Sequence, residues 1–369
     1  MSNRFNQSLC WVSLFSLLAF ALSSCAFPGT VSSSQQLPAV SQTQQTRVLP
    51  PIRFPQDEGA HNNLTEWWYY TGHLQATDAS GATRRYGFEL VVFQSLRSDL
   101  SPIYASHFAI TDVTHDEFHY DQRRLLEPIP IPDGTSTKGI DLHVGDWSIQ
   151  GLNGQDHLAA TMKEYAIDLH LSGLKPATLH NDNGIITLGV AGFSYYYSRT
   201  RMQVSGTLTD HAQALKVTGL AWMDHQWGNF LAIGGGGWDW YSIQLHNDRE
   251  LLVYFVRDAT GKILSTYLEY IDTTGKYYPI LSSALNATVL ATWTSPITRI
   301  TYPSGWRLTI DAPQLHATLT ITPQVKNQEL VASQSTGNIY WEGAVSVQGH
   351  GNGSVIDGEG YVELTGYSN

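Results

Sequence analysis

Cysteine is almost missing from this chain: the 369 residues contain two, Cys10 and Cys25. Cys10 sits in an N-terminal apolar run that reads as a removable leader, leaving Cys25 as the one thiol. An internal disulfide, a zinc-thiolate site and a thiol nucleophile are therefore excluded. Charge is scarce as well. Charged residues make up 14% against a usual share of about 25%, and 42% are hydrophobic, so the chain is neither a charged rod nor disordered. Positive charge is the rarer sign, with Lys+Arg 21 against Asp+Glu 32 and a formal net charge of -11. An acidic surface repels phosphate backbones, and nucleic acid is not expected as a partner. Helical periodicity is rare, and no Gly-x-Ser-x-Gly elbow of an α/β hydrolase occurs. The Gly234 to Gly237 tract has no Lys-Ser/Thr after it and is not a phosphate loop. His115-Asp116-Glu117-Phe118-His119 lacks the His-Glu-x-x-His order of a zinc protease, so nothing in the motifs supports a metal site.

What is present points to strands. The chain carries 19 Tyr, 11 Trp and 32 Gly, a mixture suited to twisted sheets and tight turns, and its length fits about two domains. Residues 1–24 hold one charge, Arg4, and the apolar run Leu9 to Leu22, the plan of a secretory signal. The run closes on Leu22-Ser23-Ser24-Cys25, which resembles a bacterial lipoprotein signal with lipid added to Cys25. An unlipidated signal peptide is the alternative. Loss of Arg4's single positive charge takes the formal charge from -11 to -12. Residues 25–52, uncharged from Ala26 to Thr46, read as a disordered tether. The expected place is a bacterial cell envelope, lipid-anchored, in the outer membrane if the host is Gram-negative.

From Arg53 onward, short runs rich in β-branched and aromatic residues alternate with turns such as His246-Asn247-Asp248-Arg249 and Asp258-Ala259-Thr260-Gly261. An antiparallel meander follows, with a closed barrel or curled sandwich as the economical arrangement. An internal echo, Trp67 to Leu74 against Trp238 to Leu245, suggests two such units, 53–233 and 234–369, joined at the glycine tract.

Two clusters carry polar chemistry among rings. In Ala221-Trp222-Met223-Asp224-His225-Gln226-Trp227-Gly228, strand alternation puts Asp224 and His225 on opposite sides. They meet in one cavity only if the strand breaks into a turn or bulge, which the closing glycine allows. In Glu66-Trp67-Trp68-Tyr69-Tyr70, a carboxyl buried among rings would have a raised pKa and could donate a proton; a rim charge is the plainer reading. Arg199 or Arg201 would pair with one of these acids or lie hydrated at the surface.

The residues Phe54-Pro55-x-Asp57-x-Gly59-x-His61, Glu66-Trp67-Trp68-Tyr69-x-Thr71-Gly72, Tyr197-Ser198-x-Thr200-Arg201-Met202, Trp222-x-Asp224-His225-x-Trp227-Gly228, Gly237-Trp238-Asp239-Trp240 and Gly360-Tyr361-x-Glu363-Leu364-Thr365-Gly366-Tyr367 resemble the AttH and carotenoid 1,2-hydratase superfamily. The resemblance implies an all-β chain of two lipocalin-like antiparallel barrels packed together. It also implies water addition to an apolar alkene, with His225 and Trp227 at the catalytic positions and no cofactor. On that reading Asp224, or failing it Glu66, protonates the alkene, and His225 orients or deprotonates water. Trp227 and Trp222 then face the cation, while Trp67, Trp68, Trp238, Trp240 and Tyr241 complete an aromatic wall. The partners expected are a hydrophobic small molecule and, through the anchor, a membrane. A lipid or pigment carrier without chemistry is the alternative, and the Asp224–His225 geometry discriminates.

Overall fold

The computed structural model describes residues 49–96, 102–125, 138–187, 192–230 and 236–368. Cys25, the leader and most of the tether lie outside the described residues. Among those described, no helix is long and apolar enough to cross a membrane, and helical structure is confined to single turns such as Gln56–Glu58 and His180–Asp182.

The first half supplies β1 (Thr65–Thr77), β2 (Thr83–Ser95), β3 (Ile103–Asp112), β4 (Glu117–Arg124), β5 (Ile140–Val144) and β6 (Trp147–Leu152). It continues with β7 (Gln155–Thr161), β8 (Tyr165–Gly173), β9 (Thr178–Leu179), β10 (Ile185–Thr187), β11 (Phe193–Asp210) and β12 (Gln213–Gly228). These form one antiparallel sheet in the order β4-β3-β2-β1-β12-β11-β8-β7-β6-β5, with β9 and β10 added to β11. The sheet curls until β5 comes back beside β3, nearly closing a barrel.

The second half supplies β13 (Gly237–Leu245), β14 (Glu250–Arg257), β15 (Ile263–Ile271), β16 (Tyr277–Pro279), β17 (Leu285–Val289) and β18 (Thr292–Thr294). After these come β19 (Thr301–Pro303), β20 (Trp306–Ala312), β21 (Leu315–Pro323), β22 (Glu329–Val331), β23 (Ile339–Gly351) and β24 (Ser354–Thr365). Its main sheet runs β16-β15-β14-β13-β24-β23-β21-β20-β17, with β22 on β23, and makes only a half-barrel. The expected second closed barrel is corrected accordingly: β16 and β17 end the path unpaired with each other, and β18 pairs with β19 in a separate ribbon. The echo has a counterpart in topology. In each sheet the first long strand, β1 or β13, lies between the next strand and the last one.

Burial follows from how the sheets pack. Away from the junction, strands alternate buried and exposed, as in β20, with one face in the core and the other in water. In β1, β2, β3 and β12 buried residues run on consecutively, because one face fills the barrel while the other meets the second sheet. Close approach depends on small residues. A Cβ on Gly87 of β2 would stand 2.4 Å from the Tyr361 hydroxyl and 2.7 Å from the Ala344 Cβ. Polar ties add register: His73 Nε2 donates to the Gly360 carbonyl at 2.8 Å, and Thr111 donates to Gln328 at 2.6 Å. Arg201 and Lys175 converge on buried Glu250 at 2.5 and 2.7 Å. Ile52, assigned by sequence to the tether, is instead buried against the barrel, and the Pro50 carbonyl accepts a bond from Tyr195 at 3.0 Å.

Candidate functional site

The Asp-His corner is decided by the course of β12. That strand pairs with β1 without a shift from Ala76↔Val217 to Thr65↔Gly228, so the break that a shared cavity would require does not occur. The irregularity falls on β11, between Arg199 and Met202. Alternation then holds. His225 and Trp227 point into the barrel, Asp224 and Trp222 point toward the second sheet, and the expectation that Asp224 and His225 share a cavity is corrected.

Inside the barrel, β1 and β12 bring Glu66, Trp68, His225 and Trp227 together. Glu66 Oε1 accepts from His225 Nε2 at 2.8 Å and from His61 Nδ1 at 2.7 Å. Its Oε2 accepts from the His61 backbone N–H at 2.8 Å and from Gln94 at 3.0 Å. Asp57 lies 3.4 Å from His61 Nε2, and the Tyr197 hydroxyl 3.3 Å from His225 Nδ1. Trp227 stacks on His61 at 4.3 Å with planes 2° apart, and Trp68 stacks on His225 at 4.7 Å. Burial would raise Glu66, but the His61 charge and the two imidazole bonds outweigh it and lower its pKa. Against the lowering effect of burial, the Glu66 charge and the bonds to Asp57 and Glu66 raise His61 to about 9. His225 is held down at about 4 by burial. Glu66 is thus neither a rim charge nor a neutral proton donor.

Between the sheets, register lines up a second group. Across β15, β14, β13, β24 and β23 run Tyr267, Tyr254, Trp240, Glu363 and Glu342, each paired with the next. Facing them across β3, β2, β1, β12 and β11 run His107, Val91, Tyr69, Asp224 and Ser198. Tyr69 joins the rows: its hydroxyl donates to Glu342 at 2.7 Å and its ring meets Trp240 edge-on at 5.2 Å. This cleft is filled by its own side chains and meets solvent at the start of β1, where Trp67, Phe93 and Gln226 are half-buried and Trp238 is 38% exposed.

No Lys or Arg among the described residues pairs with the carboxyls of this cleft, and burial of Asp224 is countered by the charge of His180. Among the described residues the buried basic side chains are engaged elsewhere: Arg199 with Glu58, Arg201 and Lys175 with Glu250, Arg257 with Asp239. Burial therefore raises Glu89 to about 8 and Glu363 to about 7, and lifts Glu342 well above the carboxylate range. The Asp224 charge raises Glu363 further. Burial raises Asp224 as well, yet three donors reach its oxygens: Tyr196 at 2.5 Å, Trp222 Nε1 at 2.6 Å and the Ser198 hydroxyl. An acceptor served three times over is shaped for the ionised form. Glu363 differs. Trp238 Nε1 donates to one of its oxygens at 2.7 Å, and the side chain is only half-buried at the cleft. Behind Asp224 runs a buried chain: Ser198 Oγ lies 2.7 Å from His180 Nε2, and His180 Nδ1 lies 2.7 Å from Glu269.

The residues expected from sequence thus fall into two places. Glu66, His225, Trp227 and Trp68 share the barrel interior, while Asp224, Trp222, Trp67, Trp238 and Trp240 line the cleft. Tyr241 belongs to neither, packing at 5.6 Å on Trp306 in the core of the second sheet. Sequence reading missed Glu363, Glu342, Glu89, Ser198 and His180 as a group, since only the pairing of strands far apart in the chain brings them together.

A family model described as AttH-like matches residues 44–367. Among solved structures, an AttH-type protein from Nitrosomonas europaea is 28% identical, covering 86% of this chain and 98% of that one with a TM-score of 0.75. Kievitone hydratase from Nectria haematococca shares the fold at 18% identity, covering 89% and 97% with a TM-score of 0.67. No curated protein matches the chain significantly by sequence.

Proposed function

Since the chain belongs to the AttH-like family, we propose that the cleft between its two sheets adds water to a carbon-carbon double bond of an apolar, isoprenoid-like molecule. The observation that carries this reading is a half-buried carboxyl, Glu363, held near pH 7 beside an anionic Asp224 and among the rings of Trp240, Tyr254 and Trp238. Two carboxyls whose surroundings separate their protonation states divide the labour between donor and stabiliser. Glu363 gives its proton to one alkene carbon, leaving a carbocation at the other. The faces of Trp240 and Tyr254 each lower that cation by about 2 kcal/mol when desolvated, and Asp224 supplies the countercharge. Water attacks the cation through oxygen, forming the C–O bond. The proton it sheds returns to Glu363 by way of Asp224, so hydrogen and hydroxyl add and the acid is restored.

The order Ser198–His180–Glu269 is also that of a nucleophile, its base and an orienting acid. Acyl transfer is disfavoured because Ser198 Oγ faces the Asp224 carboxylate, where an oxyanion needs donors. A fold shared with a hydratase supports the same choice. Lipid on Cys25 and the following tether would hold the cleft beside the envelope membrane in which such substrates dissolve.

The test is incubation of the protein with a panel of isoprenoid alkenes in ¹⁸O-water, followed by mass spectrometry for gain of one labelled water. Glu363→Gln is expected to lower kcat by about 10²- to 10⁴-fold, the usual worth of a general acid. Turnover by that variant at the parent rate would refute the assignment. A ligand retained but chemically unchanged would make the protein a carrier.

A further inference from the structure

The cleft leaves one built polar site without a task, the His61–Glu66–His225 group inside the barrel. We infer that this group is a binding site for a divalent transition-metal ion, with His61 Nδ1, Glu66 Oε1 and His225 Nε2 as its three ligands.

Three observations carry the assignment. First, the three ligand atoms lie within 4.8 Å of one another, and all three residues are buried. Two imidazoles and one carboxylate form a donor set suited to zinc, or to iron(II) with open positions. Second, each ligand is already oriented by its other polar atom, as metal ligands usually are. His61 Nε2 faces Asp57, His225 Nδ1 faces the Tyr197 hydroxyl, and Glu66 Oε2 is fixed by Gln94 and a backbone N–H. Third, the charge is that of a cation site. Asp57 and Glu66 bracket His61, so a single imidazolium proton answers two carboxylates in a region closed over by Trp68 and Trp227.

The two N–H bonds that Glu66 Oε1 now receives lie along the directions a metal would occupy. Binding displaces the Nδ1 proton of His61 to solvent, while neutral His225 moves its proton from Nε2 to Nδ1, where the Tyr197 hydroxyl accepts it, so that both facing nitrogens are free for one M²⁺. Ligand atoms 2.7 and 2.8 Å apart must open to roughly 3.3 Å, the spacing set by bonds of about 2.0–2.1 Å at tetrahedral angles. His61 permits this, since it lies in the loop ahead of β1 rather than in a strand. The site is separate from the cleft, on the opposite face of β1 and β12.

The experiment is calorimetric titration of zinc chloride into chelator-treated full-length protein at pH 7, run in two buffers of different ionisation enthalpy. One saturable site per chain is expected, with about one proton released. Cobalt(II) at the same site is expected to give the visible absorption of low-coordinate cobalt and to quench Trp227 fluorescence. His61→Ala, a loop substitution, and Glu66→Gln should each weaken zinc at least tenfold. Circular dichroism of the His61→Ala protein verifies that it is folded. The half-exposed to exposed group His157–Asp168–His170 is the internal control: His157→Ala should leave affinity unchanged. Absence of a saturable site, unaltered affinity in folded His61→Ala, or loss of binding in His157→Ala would each overturn the inference.

Discussion

The charge on Asp224 tunes how Glu363 behaves. Burial is the larger cause of the raised Glu363 pKa; the Trp238 bond lowers it and the Asp224 charge raises it. Asp224→Asn removes the last of these while keeping the side chain's shape, so the Glu363 midpoint should move down from about 7. Trp238 reports the change directly, because its indole N–H bonds the Glu363 carboxyl at 2.7 Å. A pH titration of tryptophan fluorescence should show a step near neutrality that shifts to lower pH in Asp224→Asn and vanishes in Glu363→Gln and in Trp238→Phe. A step that stays in place in Asp224→Asn would mean that the two carboxyls do not sense each other. At this scale the sequence was half legible. Asp224, Trp222 and Trp240 stood out because several polar and aromatic residues crowd a short span. Glu363 stood in the closing Gly360 to Tyr367 motif with no role assigned to it, and only its pairing with Trp240 more than a hundred residues away gives it a neighbourhood.

Strands, more than side chains, explain why β12 serves two sites. Its unbroken pairing with β1 sends successive residues to opposite faces, so one strand presents His225 to the barrel and Asp224 to the cleft. Alternation was readable in the sequence, as were the hairpin turns at His246–Arg249 and Asp258–Gly261, since turn chemistry is local. Closure was not readable. Whether a sheet closes depends on edge strands meeting, and β16 and β17 are short segments whose sequence does not encode their distance. The spacing between sheets is likewise set by small residues whose partners lie far along the chain. Gly87→Val would drive new carbons into Tyr361 and into Ala344 on β23, where no flexible side chain can yield. Overpacking of this kind costs about 1–3 kcal/mol, and urea unfolding should show a midpoint lowered by that energy divided by the m-value. An unchanged midpoint would mean that the sheets separate freely there.

The whole molecule carries an excess of acid, formal net charge -11, and has buried part of it with too little positive charge beside it to offset the burial. This gives its stability an unusual pH dependence. Glu89 at about 8, Glu363 at about 7 and Asp156 at about 6 all titrate above their unfolded values, chiefly through burial, and Glu342 is raised with them. The surroundings of Glu89 reinforce its rise: Glu363 repels it, while the Tyr340 hydroxyl, bonded at 3.0 Å, offsets only part. A folded state that holds more protons than the unfolded one loses stability as pH rises. The contribution of these groups is complete below about pH 4.5 and is lost as pH climbs through their folded values. His107 and His225, kept neutral down to about 3 and about 4 by burial, work in the opposite sense, their contribution falling as pH drops below about 6.5. Two such imidazoles are outnumbered by the four carboxyls. Carboxylates held low, such as Asp210 beside His211 and Tyr86, lose their contribution only at still lower pH. Stability should therefore be greatest near about pH 4.5–5 and decline toward pH 8, acidic of the usual optimum at roughly 5–8. Urea midpoints measured across this range check the claim. Glu89→Gln, which keeps the acceptor for Tyr340 and cannot ionise, should flatten the alkaline decline, and a midpoint that rises between pH 5 and 8 in the parent protein would show that the cleft carboxyls are not neutral when folded.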